Sequence, residues 1–375
     1  MASLQHLLLA AKNSRYAQSS SIAISNLRNL SPATKLSLGS GITDALTGGI
    51  NAWSVNGATL ASPDFASNLF AASLFPYLVF LYFLSRSETK TPTLGNFGFQ
   101  FLLAFVFATI PAGIYAKYEY NDILANIDFL HGGAESLLTI TNLLIIIGFR
   151  QVREKQATSG PFSNDVLIAI VSGLITFVYG NFVGAHPEPA NALSLPTWVV
   201  HTSTIFEWLL AMKLIWEHSD LSQNPRWKGM TWAMAPSHTS GLCACTYHLF
   251  YNSPSLLWIV SLQAAMTLLS NTALAFAAYR IYQFEKESAT QVNSSAEESK
   301  LTPVPENSQF FFDLAFKSII AASIVKFGAL YFDFPFEHSS YVAAGFIFLP
   351  TLFTLSKWFS RSNAGDNLEQ VESLI

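Results

Sequence analysis

Nine stretches of about twenty mostly apolar residues recur along this chain, and no other feature limits its folds so tightly. They fall at 65–84, 97–115, 131–149, 165–184, 197–216, 230–250, 255–280, 310–331 and 341–359. A helix rises 1.5 Å per residue, so about 20 apolar residues cross a hydrocarbon core of about 30 Å. Inside lipid a spanning segment must satisfy its backbone polar groups internally, which favours the helix. The expectation is therefore an all-α polytopic transmembrane helix bundle of about nine spans. Composition agrees: 12% of residues are charged, against about 25% in a soluble domain.

The charges between the stretches suggest an orientation. Arg86, Lys90, Arg150, Arg153, Lys155, Arg226, Lys228, Arg280, Lys286, Lys300, Lys357 and Arg361 all lie in alternate loops or at the C-terminal end. The intervening loops hold Lys117. Basic residues collect on the cytoplasm-like side, which implies an N-out, C-in topology. A net charge of −4 and the lack of a basic patch with interleaved aromatics exclude a nucleic-acid partner. Membrane lipid is the expected environment.

The chain divides by composition. Residues 1–45 open with no Asp or Glu before Asp44, but with nine serines and four basic residues, the make-up of an organelle transit peptide. A first membrane module covers 60–155 with three helices, and a second covers 160–285 with four. A polar linker spans 286–309, a third module of two helices spans 310–360, and a tail runs from 361 to 375.

Ionisable groups within a bilayer are costly and become functional candidates by default. The sixth stretch carries His238, Cys243, Cys245 and His248. At 100° per residue, His238, Cys245 and His248 share an arc of about 80°. An imidazole there can hold haem iron or chlorophyll magnesium, which makes His238, Cys245 and His248 the candidate cofactor residues. Packing and hydrogen bonding between helices is the bland alternative. The ten residues separating the two histidines, about 15 Å of helix, argue against one metal bound by both, and neither a metal site nor a catalytic set is expected. Buried charge or a proton path is the reading for His131 and Glu135, four apart on one face, for His201 and Glu207, and for Lys326, with Asp333 as its expected anchor. Five of the eight histidines, these included, belong to the acidic side of the topology.

The motifs Leu193–His201, Glu207-Trp208, Trp227–Trp232, Ser240–His248 and Tyr251-Asn252 together resemble an uncharacterised family of cyanobacteria and plastids, known from an open reading frame of some algal plastid genomes. The region from Leu74–Tyr77 through Asp128–Ser136 to Gly148–Arg150 is similar to a second uncharacterised membrane family of the same organisms. The resemblance covers roughly residues 65–285 and implies a fusion of two families in a chloroplast membrane, thylakoid ahead of inner envelope. Neither family brings catalytic residues. The resulting expectation is an accessory protein that helps assemble or maintain a photosynthetic complex, with photosystem or cytochrome complex subunits as partners. The rival expectation is a transporter or ion-coupled carrier.

Overall fold

The computed structural model of this protein describes residues 63–153, 191–289, 307–331 and 339–363. They form eight long helices: α1 (Pro63–Leu84), α2 (Thr93–Tyr120), α3 (Asp128–Arg153), α4 (Leu195–Leu221), α5 (Arg226–Leu249), α6 (Leu257–Ala289), α7 (Asn307–Tyr331) and α8 (Ser340–Asn363). No strand occurs among the described residues. The expected span 165–184, the N-terminal segment, Asp333, most of the linker and the last twelve residues lie outside the described residues, as do His186 and His338.

Among the described residues, five segments are long and apolar enough to cross a membrane: Phe65–Leu84, Thr93–Tyr120, Asp128–Val152, Pro254–Ser288 and Ser340–Asn363. The expected spans at 197–216, 230–250 and 310–331 are helical, as α4, α5 and α7, but are not among those five. For α4 and α5 the reason lies in their neighbours. α4 buries His201, Ser203, Glu207, His218 and Ser219, and α5 buries Thr231, His238, Thr239, Ser240, Thr246 and His248. A helix screened by other helices can spend its polar residues on interhelical contacts.

The helices pack in a closed order. α1 lies on α6, α6 on α5, α5 on α4, α4 on α3 and α3 on α2, and α2 touches α1 again; α7 lies on α4 and α8 on α5. The first two blocks of sequence thus interlock, since α1 and α3 both pack against helices of the second. Backbone contact between α2 and α3 depends on glycine: a Cβ on Gly148 would sit 2.1 Å from the Gly95 nitrogen. Only residues without side chains allow that approach.

One end of the bundle is apolar inside and basic at its rim. Phe80, Leu84, Phe99, Phe149, Met212, Ile215, Trp227, Met230 and Ile281 belong to one core cluster. Around it, Lys90 Nζ meets Glu285 Oε2 at 2.8 Å, while Asn224 Nδ2 donates to Glu285 Oε1 at 2.9 Å. Arg361 reaches Glu217 at 3.6 Å and lies over Trp358 at 5.4 Å. The basic loops that alternate in sequence therefore come together in space.

Candidate functional site

The opposite end is built differently. Asp128, the first residue of α3, accepts the Ser194 backbone N–H through Oδ1 at 2.9 Å. Ser194 in turn caps α4, its Oγ accepting Thr197 N–H at 3.5 Å, a weak version of the usual helix cap. Gly132 keeps the two helix starts close, because a Cβ there would lie 2.5 Å from Thr197 Oγ1. The turn after α5 is fixed to the turn before α3: Asn252 Nδ2 donates to Asn126 Oδ1 at 2.7 Å and to Ala125 O at 3.1 Å. Tyr251 and Asn252 hold φ of 48° and 55° in that turn, and the Tyr247 hydroxyl donates to Asn252 O at 3.0 Å. Three helix ends are thereby held at one level.

Each of those ends contributes an imidazole. His131 Nε2 lies 3.0 Å from His248 Nε2 and 3.3 Å from His201 Nε2. The ring centroids are 4.7, 5.1 and 4.9 Å apart for the pairs 131–248, 131–201 and 201–248. All three side chains are buried, at 8%, 5% and 6% exposure. His201 Nδ1 donates to the Thr197 carbonyl at 2.9 Å, which leaves its Nε2 with a free lone pair. Asn252 faces the His248 ring without full hydrogen-bond geometry.

A polar seam continues from the cluster along the α3–α4 contact. Thr139 Oγ1 and Ser203 Oγ are 3.4 Å apart, and deeper still Asn142 Nδ2 donates to Glu207 Oε2 at 3.2 Å. Glu207 is 2% exposed, and the group that donates to it is an amide. Buried polar groups need such partners.

The other sequence candidates scatter around this centre. Half-buried Glu135, one turn beyond His131, faces Cys245. Cys245 Sγ lies 4.0 Å from the His201 carbonyl. Lys326 on α7 donates to the Leu193 carbonyl at 2.6 Å, a backbone group just before α4. A narrow crevice lined by Leu193, Trp198, His248, Tyr251, Val325 and Lys326 runs beside the cluster. His238 is buried in α5, ten residues from His248 and outside the cluster. His238, Cys245 and His248 stand on the one helix α5, and of these His248, at its end, meets imidazoles of two other helices. Sequence reasoning put all three histidines on the acidic side but not in contact, because they are 70 and 47 residues apart along the chain.

Chemically, three converging imidazole nitrogens can share a proton or hold one cation. A macrocycle such as haem or chlorophyll needs an open slot before the ligating nitrogen, and before His248 Nε2 stands His131 Nε2.

Comparison with known proteins divides the chain as the resemblance implied. Residues 66–154 match a protein family of unknown function, DUF3593, and residues 192–280 match a second, DUF2499. A Ycf49-like protein of Synechocystis sp. is 42% identical over 93 residues, 25% of this chain and 89% of that protein. The uncharacterised protein ycf49 of Cyanophora paradoxa is 36% identical over 86 residues, 23% of this chain and 84% of that protein. No solved structure matches this chain.

Proposed function

This chain belongs to the Ycf49-like family, joined in one polypeptide to a second membrane module, and on that premise we propose that it is an accessory protein of the thylakoid membrane that helps assemble or maintain a photosynthetic complex. The observation that carries the reading is the family itself, with relatives in a cyanobacterium and in Cyanophora. The structure supports it in one respect. In the Synechocystis relative 93 residues make up 89% of the chain, so that chain has about 93/0.89, or roughly 104, residues. The two modules matched here take 89 residues each, from 66–154 and 192–280, which is more than it can hold. Here the modules interlock through α1 on α6 and α3 on α4, as two proteins of one assembly would. Photosystem or cytochrome complex subunits are the proposed partners.

The test is the level of photosystem and cytochrome complexes in a line lacking the gene. Reduced accumulation of one complex is expected; normal levels of all of them under fluctuating light would overturn the reading.

A second reading has its own support. The seam from His131 to Glu207 places a carboxyl group deep between α3 and α4, as an ion-coupled carrier requires, and intramembrane carboxyls mark proton and ion pathways. A cysteine introduced beside Glu207 would then react with a water-soluble thiol reagent from one side of the membrane. Protection from the reagent would favour the accessory role.

A further inference from the structure

We propose that His131, His201 and His248 form a binding site for one divalent first-row transition-metal ion of the zinc type, at the junction of the two modules. The spacing is the first argument. Zinc–imidazole bonds are about 2.0–2.1 Å, so two nitrogens on a tetrahedral ion are separated by about 3.3 Å. His131 Nε2 stands 3.0 and 3.3 Å from the other two Nε2 atoms, and all three ligand atoms fit within 4.8 Å. An ion can take the centre with small side-chain movements.

The second argument is orientation. Metal-bound imidazoles donate their other N–H to a carbonyl or carboxylate, which fixes the tautomer. His201 does so to the Thr197 carbonyl at 2.9 Å, and Asn252, itself tied to Asn126 and Ala125, stands beside His248. Without an ion the three Nε2 atoms have a poor alternative. With His201 Nε2 unprotonated and all rings neutral, the Nε2 proton sits on His131, facing two acceptors, or on His248, donating to His131 and leaving His201 Nε2 without a donor. Three buried imidazoles from three helices would then be held by about one good hydrogen bond.

Charge is the third argument. A divalent ion held by neutral ligands in a membrane protein needs nearby negative charge. Asp128 stands at the start of α3, its carboxylate accepting the Ser194 backbone N–H just before the helix that carries His201. Three protein nitrogens leave a fourth coordination position, the arrangement of a site that exchanges a ligand and not of a closed structural site.

The experiment uses the full chain, purified in mild detergent with an affinity tag free of histidine, stripped with chelator and titrated with Co2+ alone and then Zn2+ alone. One equivalent of Co2+ per chain is expected, with the visible d–d bands of four-coordinate cobalt, lost on adding one equivalent of Zn2+. His131→Gln and His248→Gln, close in size to the originals, should abolish the bands, while His238→Ala keeps them. Asn252→Ala should weaken Zn2+ affinity about 10-fold, as loss of an orienting partner does. Wild-type protein without the bands overturns the proposal, whatever the variants do. Bands that persist in both glutamine variants overturn it as well, since the ion would then sit elsewhere. Because the ion is counted on purified protein, failure here leaves the accessory role standing, and normal complex levels in the null line leave the metal site standing.

Discussion

Histidines sit at both ends of the bundle, and the two environments could hardly differ more. At the basic end His218 is wedged between Phe149 and Trp227, ring centroids 5.1 and 4.8 Å away and both contacts edge-on; neither of its nitrogens has a hydrogen-bond partner. At the other end His131, His201 and His248 turn their nitrogens toward one another. The first imidazole serves as a flat ring in an aromatic stack, and the other three present lone pairs. The comparison separates the part of the protein that holds it together from the part equipped for chemistry.

The largest effect should come from the packed half. Trp227 is fully buried, so Trp227→Ala should cost about 3–5 kcal/mol, seen as a large drop in thermal midpoint in detergent. Next is Gly148→Ala, whose new methyl would strike the Gly95 backbone. Backbone cannot rotate away, so the cost should reach the top of the range of about 1–3 kcal/mol for overpacking. Gly132→Ala meets the side chain of Thr197, Oγ1 at 2.5 Å and Cβ and Cγ2 at 3.3 Å, where Gly148→Ala meets backbone; it should lower stability less and Co2+ binding more. An equal loss of stability from the two glycine changes would contradict the division into a structural and a chemical half.

Smaller effects sharpen it. Asn142→Ala removes the donor to buried Glu207 and should cost about 1–3 kcal/mol, measurable by denaturation in mixed micelles. Metal binding, about three turns from Asn142 along α3, should be retained. The smallest change is expected from His218→Phe. Both of its ring nitrogens already lack partners, and replacing an unsatisfied buried polar group with an apolar one of similar shape can be neutral or stabilising. Its stability should change by less than about 1 kcal/mol, in the stabilising direction, read as a small rise in thermal midpoint. The corresponding His131→Phe should eliminate cobalt binding.

Much of the fold was legible from residue pattern alone. Runs such as Leu137–Phe149 declare a helix and a membrane, because lipid offers the backbone no partner and apolar length is written directly in sequence. The alternating basic loops likewise come together at one rim, where Lys90 meets Glu285 and Arg361 meets Glu217. The two families were legible for a similar reason, since the motifs that carry them are local. The histidines, too, were marked as candidates by their cost in lipid.

What no pattern could supply was which of them meet. Helical periodicity relates residues within one helix, so it grouped His248 with His238. Contacts between helices depend on which faces oppose each other and how closely the axes approach. That was settled by particular points of contact: Gly132 against Thr197, Asp128 holding the start of α4, and Asn252 tying the turn after α5 to the turn before α3. The sequence by itself determined a helical membrane protein of two joined families with a surplus of interior histidines. The tertiary structure alone decided that three of them face one point, because convergence is a property of three helix ends held at the same level and not of any one helix.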